Sequence, residues 1–353
     1  MAIAICGTSY GQRRRGGVDR VDLILRESLI PKTPAEIEQK IDPSKLHPLT
    51  EKTYRNPKIL GEDSQCIIVE VEGLKYLLRK QTLTGSVLGP VDEMRRKFTE
   101  VNIWESILVH DFVYPITYIG NFSFKQEVLT KVTIPNTVKE IGIEAFAYSE
   151  LSEVYIPSSV EVIHRFCFSG SKIRHAVFEG ETIKTIDSFS FLGCRQLEEI
   201  ILPKSCTKIR RETFSGCTSL KRAVLPDNIT FIPEGMFSDC TALTTVTFPT
   251  ALTKIGGGAF RCTGLINLTL PVGLTTICKS AFEETKIQTL YIPSTVTTLE
   301  WLSFGSCMKL KKITMPNHLK YDLAMLASAF TGAEYLFCNT ANPNKWLAFT
   351  WVE

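Results

Sequence analysis

The sequence carries almost no excess charge of either sign. Its 353 residues include 40 lysines and arginines against 37 aspartates and glutamates, a net charge of +3. Proteins that bind the negative charge of nucleic acids or anionic membranes need a strong positive field, which this balance does not supply. We therefore expect no nucleic-acid partner. The one basic run, Arg13 to Arg15, stands beside two glycines and is typical of a solvated arm.

Long apolar runs are also missing. A membrane-spanning helix needs roughly 18 or more consecutive apolar residues, and no such run occurs, so no membrane span is predicted. The apolar residues 1–6 form too short a segment for a secretory signal, and arginines follow them instead of preceding them. The expected location is cytoplasmic. The alternative is the cell surface, or secretion by an unconventional route.

The sequence has few of the motifs that mark metal-binding or catalytic sites. The 11 cysteines, an odd number that fits a reducing compartment, show no Cys-x-x-Cys spacing, so no structural zinc site is predicted. The five histidines stand in no metalloprotease spacing, and no phosphate-binding glycine loop appears. We expect no catalytic residue, no metal site and no cofactor, and we predict that the chain is not an enzyme.

What the sequence does contain is a repeat of about 22–24 residues, running from about residue 109 to residue 330. Each copy has an alternating polar and apolar segment that ends at a proline, an apolar residue six or seven positions later, and then a phenylalanine. The prolines are Pro135, Pro157, Pro203, Pro226, Pro249, Pro271, Pro293 and Pro316, with Glu179 in the copy that lacks one. The phenylalanines are Phe124, Phe146, Phe168, Phe191, Phe214, Phe237, Phe260, Phe282 and Phe304, with Phe330 as a degenerate tenth.

The repeat predicts stacked parallel strands. Alternation over residues 131–134 is typical of a strand that is buried on one face, and the following proline ends the strand because it cannot donate a ladder hydrogen bond. Each unit is too short for a full crossover helix, so turns, extended segments or single helical turns should return the chain. A unit this small cannot bury its own apolar face, and stacking the units therefore makes one continuous core.

The pattern resembles the BspA-like, or Treponema-type, leucine-rich repeat, whose form is I-P-x-x-V-x-x-I-G-x-x-A-F-x-x-C-x-x-L. The copies most similar to it are residues 134–146 and 248–262. The resemblance implies an α/β, β-rich repeat fold: a right-handed leucine-rich-repeat solenoid with a parallel sheet on its concave face. It also implies adhesion or protein binding, often at a cell surface, in bacteria and anaerobic protozoa.

The regions that flank the repeats are expected to cap them, because solenoids need terminal caps. We assign residues 1–60 to a partly irregular extension and residues 61–108 to an N-terminal cap with a β-hairpin that turns at Glu72 and Gly73. The repeats occupy residues 109–330, and residues 331–353 form a C-terminal cap.

Five cysteines are predicted to occupy one repeat position and to form a file of buried thiols along the stack. Free cysteine behaves as a small hydrophobic residue, and a file along one axis does not converge on a metal ion. These cysteines are Cys194, Cys217, Cys240, Cys262 and Cys307.

An apolar stripe is predicted on the outward side of the sheet. Val177, Ile201 and Val224 are successive outward aliphatic residues next to Tyr155, and such a patch on a solenoid suits a protein partner. The residues expected to rim the stripe are His175, Glu199 and Arg222. We expect Tyr155 to anchor the partner. The alternative is that loops or the N-terminal region cover the stripe.

Two functions fit these features. The first is a non-enzymatic scaffold or adaptor that binds a protein partner through the solenoid surface. The second is a surface-exposed or secreted adhesin or effector that binds a host protein or a glycan. The sequence leaves the identity of the partner and the oligomeric state open.

Overall fold

The structure is a computed structural model that describes residues 46–321, 328–331 and 348–352. These residues belong to one unit, Pro43–Glu353. Most of the extension at residues 1–60 and most of the cap at residues 331–353 lie outside the described residues.

The described chain begins with a mainly antiparallel sheet. In the β3–β4 hairpin, Glu72 and Gly73 both have positive φ (50° and 78°), as a two-residue turn that matches the twist of its strands requires. Buried residues of this sheet, such as Val69 and Val87, belong to the same core cluster as the repeats. The elements are β1 (Thr53–Tyr54), β2 (Lys58–Glu62), β3 (Cys66–Val71), β4 (Leu74–Arg79), β5 (Thr84–Pro90), a 3-10 helix (Asp92–Met94), β6 (Glu100–Asn102), β7 (Ser106–Val109) and β8 (Phe112–Ile119).

The first side of each repeat is a strand in the predicted place. These strands pair in parallel, and their outward side chains form what we call the front face. The alternation is clear in β11, where exposed and buried residues alternate along the strand. The front strands are β9 (Lys131–Thr133), β11 (Glu153–Ile156), β13 (His175–Phe178), β15 (Glu199–Ile201), β17 (Arg222–Val224), β19 (Thr245–Thr247), β21 (Asn267–Leu268), β23 (Thr289–Tyr291) and β25 (Lys312–Pro316).

The second side of each repeat is a further parallel ladder of two-residue strands. Two residues are too few to show a period of two in the sequence, so only the buried Ile or Leu of each was expected there. The ladder is in two parts, β10 to β16 and β18 to β24, and the first part continues into the N-terminal sheet, because β8 pairs in parallel with both β5 and β10. The strands are β10 (Glu140–Ile141), β12 (Val162–Ile163), β14 (Thr185–Ile186), β16 (Lys208–Ile209), β18 (Phe231–Ile232), β20 (Lys254–Ile255), β22 (Thr276–Ile277) and β24 (Thr298–Leu299).

The third side is a turn centred on the repeated phenylalanine. The ten rings from Phe124 to Phe330 stack in series, with neighbouring centroids 5.1–5.6 Å apart, and all ten are fully buried. Burying one phenylalanine contributes on the order of 2–3 kcal/mol. This column therefore forms a large part of the continuous core that stacking was expected to create.

Each of these turns has a left-handed residue two positions before and two positions after its phenylalanine, from Phe122 and Gln126 in the first turn to Leu302 and Ser306 in the ninth. These conformations let alternate amides point toward the following turn. The Phe146 amide, for example, donates to the Cys167 carbonyl oxygen at 2.8 Å. Hydrogen bonds between turns therefore satisfy backbone groups that would otherwise be buried without partners.

The predicted cysteine file is wrong at one position. Cys194, Cys217, Cys240 and Cys307 follow their phenylalanines by three residues, and each thiol donates to the phenylalanine carbonyl of the preceding turn at 3.1–3.3 Å. Cys262 follows Phe260 by only two residues. It therefore takes the left-handed turn position, with φ of 56°, while Thr263 is buried in the file.

The C-terminal residues continue the stack. The amides of Leu302, Phe304 and Ser306 donate to the carbonyl oxygens of Ser328, Ala329 and Thr331 at 2.8–2.9 Å. A 3-10 helix covers Asn317–Tyr321, and β26 (Ala348–Val352) pairs in parallel with β25.

Candidate partner-binding surface

Four neighbouring front strands bring the predicted stripe together. Tyr155 of β11 pairs with Val177 of β13, and Ile201 of β15 pairs with Val224 of β17. Tyr155 is 50% exposed, Val177 41% and Ile201 53%, whereas Val224 is half-buried. Described loops therefore leave the first three side chains accessible. We call these four residues the front stripe.

The front stripe stands on a buried layer. Between the outward residues, Val154, Ile156, Ile200 and Ala223 point inward and are at most 1% exposed. A strand that is packed on one side and paired with its neighbours holds its outward side chains in place, so the stripe is a preformed surface.

The three polar residues predicted at the rim also lie side by side. His175 pairs with Glu199, and Glu199 pairs with Arg222, across β13, β15 and β17. The Arg222 guanidinium forms an ion pair with the Glu199 carboxylate, and both side chains are nearly half exposed. An exposed pair of this kind contributes little to stability, so these charges remain available to orient a partner.

The phenol of Tyr155 lies in a negative field. Its hydroxyl donates to Glu153 Oε2 at 3.2 Å. The charge of Glu153 raises the pKa of Tyr155, its hydrogen bond does the same, and Glu179 adds to the effect. The phenol therefore stays protonated and can act as a hydrogen-bond donor.

Sequence reasoning did not predict a groove of about 990 Å³ at the N-terminal end of the front face. Tyr155 lines it, together with Trp104, which comes from outside the repeats and therefore carries no periodic signal. The ring of Trp104 contacts the ring of Tyr54 edge-on, with their centroids 5.3 Å apart, and Trp104 Nε1 donates to Glu72 Oε2 at 3.1 Å. The one signal in the sequence was Glu179, which lines the groove where the other copies have proline.

Neither a metal centre nor a membrane helix is found in the part of the chain that the structure describes. No three His, Cys, Asp or Glu side chains within residues 46–321, 328–331 and 348–352 could together hold a metal ion. In the same ranges, no helix has the length and apolarity that crossing a membrane requires.

A family model agrees with the repeat pattern. The model described as the BspA type leucine-rich repeat region, in six copies, matches residues 117–244 and 232–332. Together these ranges cover more than half of the chain. No curated protein matches the sequence.

Several solved structures are similar to the chain. A leucine-rich cell surface protein from Faecalibacterium prausnitzii is 24% identical, with 70% of each chain covered and a TM-score of 0.46. A leucine-rich repeat protein from T. pallidum is 22% identical, covering 75% of this chain and 98% of its own, with a TM-score of 0.40. The pneumococcal vaccine antigen PcpA is 18% identical, covering 73% of this chain and 82% of its own, with a TM-score of 0.44. At these identities, none of the three indicates what this chain binds.

Proposed function

This chain belongs to the BspA-type leucine-rich-repeat family, and we propose that it acts as a protein-binding scaffold or adaptor through the front stripe, without catalysing a reaction. One observation carries the proposal: Tyr155, Val177 and Ile201 are large apolar side chains that stand 41–53% exposed on consecutive strands. A contiguous apolar patch with a polar rim is typical of protein interfaces.

Tyr155 is the proposed anchor. Tyrosine is enriched among the residues that dominate binding energy, because it offers a large rigid area together with a hydroxyl. In this chain the ring is half exposed and its hydroxyl donates to the exposed carboxylate of Glu153, so a partner can cover the ring and still keep the hydroxyl paired.

A surface-exposed adhesin or effector would use the same front face. Its glycan-binding form would need exposed aromatic platforms, and Trp104 and Tyr155 line one groove. Surface biotinylation of intact cells distinguishes a cytosolic adaptor from a surface-exposed adhesin, because only the surface form would be labelled. A cytosolic adaptor would instead be isolated with all eleven of its cysteines as free thiols.

A pull-down from native lysate tests the interface. We expect the wild-type chain to capture a partner that the double variant Tyr155→Ala/Ile201→Glu loses, because the variant removes the anchor and places a charge in the stripe. The matched control is Val272→Glu, which puts the same charge on a side chain that is 81% exposed outside the stripe. Circular dichroism confirms folding. Retention of the partner by the double variant would refute the front stripe as the interface.

A further inference from the structure

The groove beside Tyr155 has an excess of negative charge. Six glutamates and two lysines line it. Lys52 Nζ lies 2.7 Å from Glu105 Oε1, and Lys131 Nζ lies 4.0 Å from Glu100 Oε2, so each lysine is already ion-paired. Four further carboxylates have no basic partner within the described ranges. They belong to Glu51, Glu72, Glu153 and Glu179.

Apolar and aromatic side chains also line the groove. The buried side chains of Ile134 and Pro157 contribute to its floor, and Trp104 and Tyr155 supply aromatic rings. Trp104 is held by its contacts with Tyr54 and Glu72 and does not need to be ordered by a ligand. A cationic side chain attracted to carboxylates can also rest on the face of an aromatic ring, and this combination favours lysine and arginine.

The direction of the groove suits an extended chain. Part of its lining comes from four neighbouring positions on the front face: β6, β9, β11 and Glu179, which follows β13. Neighbouring strands lie about 4.8 Å apart, so four of them span about 14 Å. About four residues of extended peptide, at about 3.3–3.6 Å per residue, cover that distance.

From the charge, the rings and the length of this groove, we propose that it binds an extended lysine- or arginine-rich segment of a protein partner. The basic side chains lie against Trp104 and Tyr155 and pair with the four carboxylates that have no basic partner. This inference rests on the proposed function, because Tyr155 belongs to both sites and the groove extends the front stripe toward the N-terminal end of the repeats.

Fluorescence anisotropy with the full chain tests the groove directly. The probe is a labelled six-residue peptide of alternating lysine and threonine, and its acidic counterpart has glutamate in place of lysine. We expect the basic peptide to bind and to bind more weakly as salt is added, because salt screens exposed charges. The acidic peptide should not bind.

The variant Glu153→Gln/Glu179→Gln removes two of the four carboxylates that have no basic partner and should weaken binding of the basic peptide by about tenfold or more. Its matched control is Asp227→Asn/Glu234→Gln, which removes the same charge from exposed residues outside the groove. Tyr155→Ala should also weaken binding of the basic peptide. The control variant should bind this peptide as the wild type does.

Three outcomes would overturn the inference: equal binding of the two peptides, an unchanged affinity in the groove variant, or an equal loss in the control pair. Binding of a neutral oligosaccharide such as maltohexaose, without binding of the basic peptide, would assign the groove to a glycan instead. The front stripe is tested separately by Ile201→Glu, which lies outside the groove. If that variant loses the captured partner but the groove fails the peptide test, the proposed function is supported and the inference about the groove is refuted.

Discussion

At the scale of single residues, Cys262 and Thr263 have opposite surroundings although they are neighbours in sequence. Thr263 is 2% exposed and its hydroxyl donates to the Phe260 carbonyl oxygen at 2.9 Å. Cys262 is half-buried in the turn, and its thiol donates to Glu284 Oε2 of the next turn at 3.3 Å. A shift of one residue therefore moves a side chain from the buried file to a half-buried position in the turn.

The thiol of Cys262 should react slowly with alkylating reagents, and Glu284→Gln should accelerate the reaction. Burial raises the pKa of Cys262 to about 12, and the hydrogen bond and charge of Glu284 contribute in the same direction. Only the thiolate reacts, so below this pKa the rate should rise about tenfold per pH unit. Removing the carboxylate charge lowers the pKa and should increase the rate at pH 8 by about threefold to tenfold.

Site-resolved mass spectrometry after brief treatment with iodoacetamide measures this rate. Cys66, far from Glu284 in the sequence, serves as the internal control in the same sample and should react at an unchanged rate. Equal labelling of Cys262 in wild type and variant would show that Glu284 does not suppress the thiolate.

At the scale of elements, the N-terminal sheet and the first repeat approach each other closely at Gly89. This glycine has φ of 108°, and a Cβ atom built on it would lie 2.0 Å from the Ser123 carbonyl oxygen. Ser123 precedes the first phenylalanine of the stack, and β5 pairs with β8 at the same junction. No residue with a side chain fits here without moving the cap away from the repeats.

The substitution Gly89→Ala should therefore loosen the cap. We expect a loss of about 2–4 kcal/mol in the free energy of unfolding, since both the backbone conformation and the contact with Ser123 become unfavourable. Hydrogen exchange should increase in residues 84–90 and 116–124. The control is Gly61→Ala, because a Cβ atom at Gly61 meets nothing within 4 Å. Similar exchange in the two variants would contradict this account of the junction.

Elements differ in how far the sequence predicted them. The front strands, most of which have three or four residues, were predicted because their segments alternate and, in every copy but the one with Glu179, are followed by a proline. The second ladder was not predicted, since strands such as β12, with two residues, have no readable period. The left-handed turn positions were not predicted either. Most of them carry residues other than glycine, such as Glu144 and Phe189, so composition did not mark them.

At the scale of the whole molecule, the repeats form a one-dimensional array in which each turn contacts its neighbours. The stability of such an array is approximately a sum over turns and over the interfaces between them. Phe214 stacks between two rings, with centroid distances of 5.4 and 5.6 Å. Phe330 is the last ring of the stack in the described chain, and its centroid lies 5.3 Å from that of Phe304.

The same substitution should therefore cost different amounts at different places in the array. Phe214→Ala weakens two interfaces and should lower the free energy of unfolding by about 3–5 kcal/mol, as expected for a fully buried ring. Phe330→Ala should cost less and should increase hydrogen exchange mainly in residues 302–316.

Denaturation followed by circular dichroism measures both losses. Phe231→Ala is the control, because this ring is 43% exposed and lies outside the stack. Equal losses for Phe214→Ala and Phe330→Ala would contradict the nearest-neighbour description. A large loss for Phe231→Ala would show that removing any phenylalanine unfolds the chain.

The sequence by itself determined the repeat, the family, the phenylalanine core and the outward position of Tyr155, Val177 and Ile201. It could do so because identical units stacked in register repeat the same environments, and periodicity is visible in one dimension. Only the tertiary structure decided which surfaces meet. The groove combines Glu72 and Trp104 of the N-terminal region with Tyr155 and Glu179 of the repeats, and residues so distant in sequence come together only when the cap packs against the first turns.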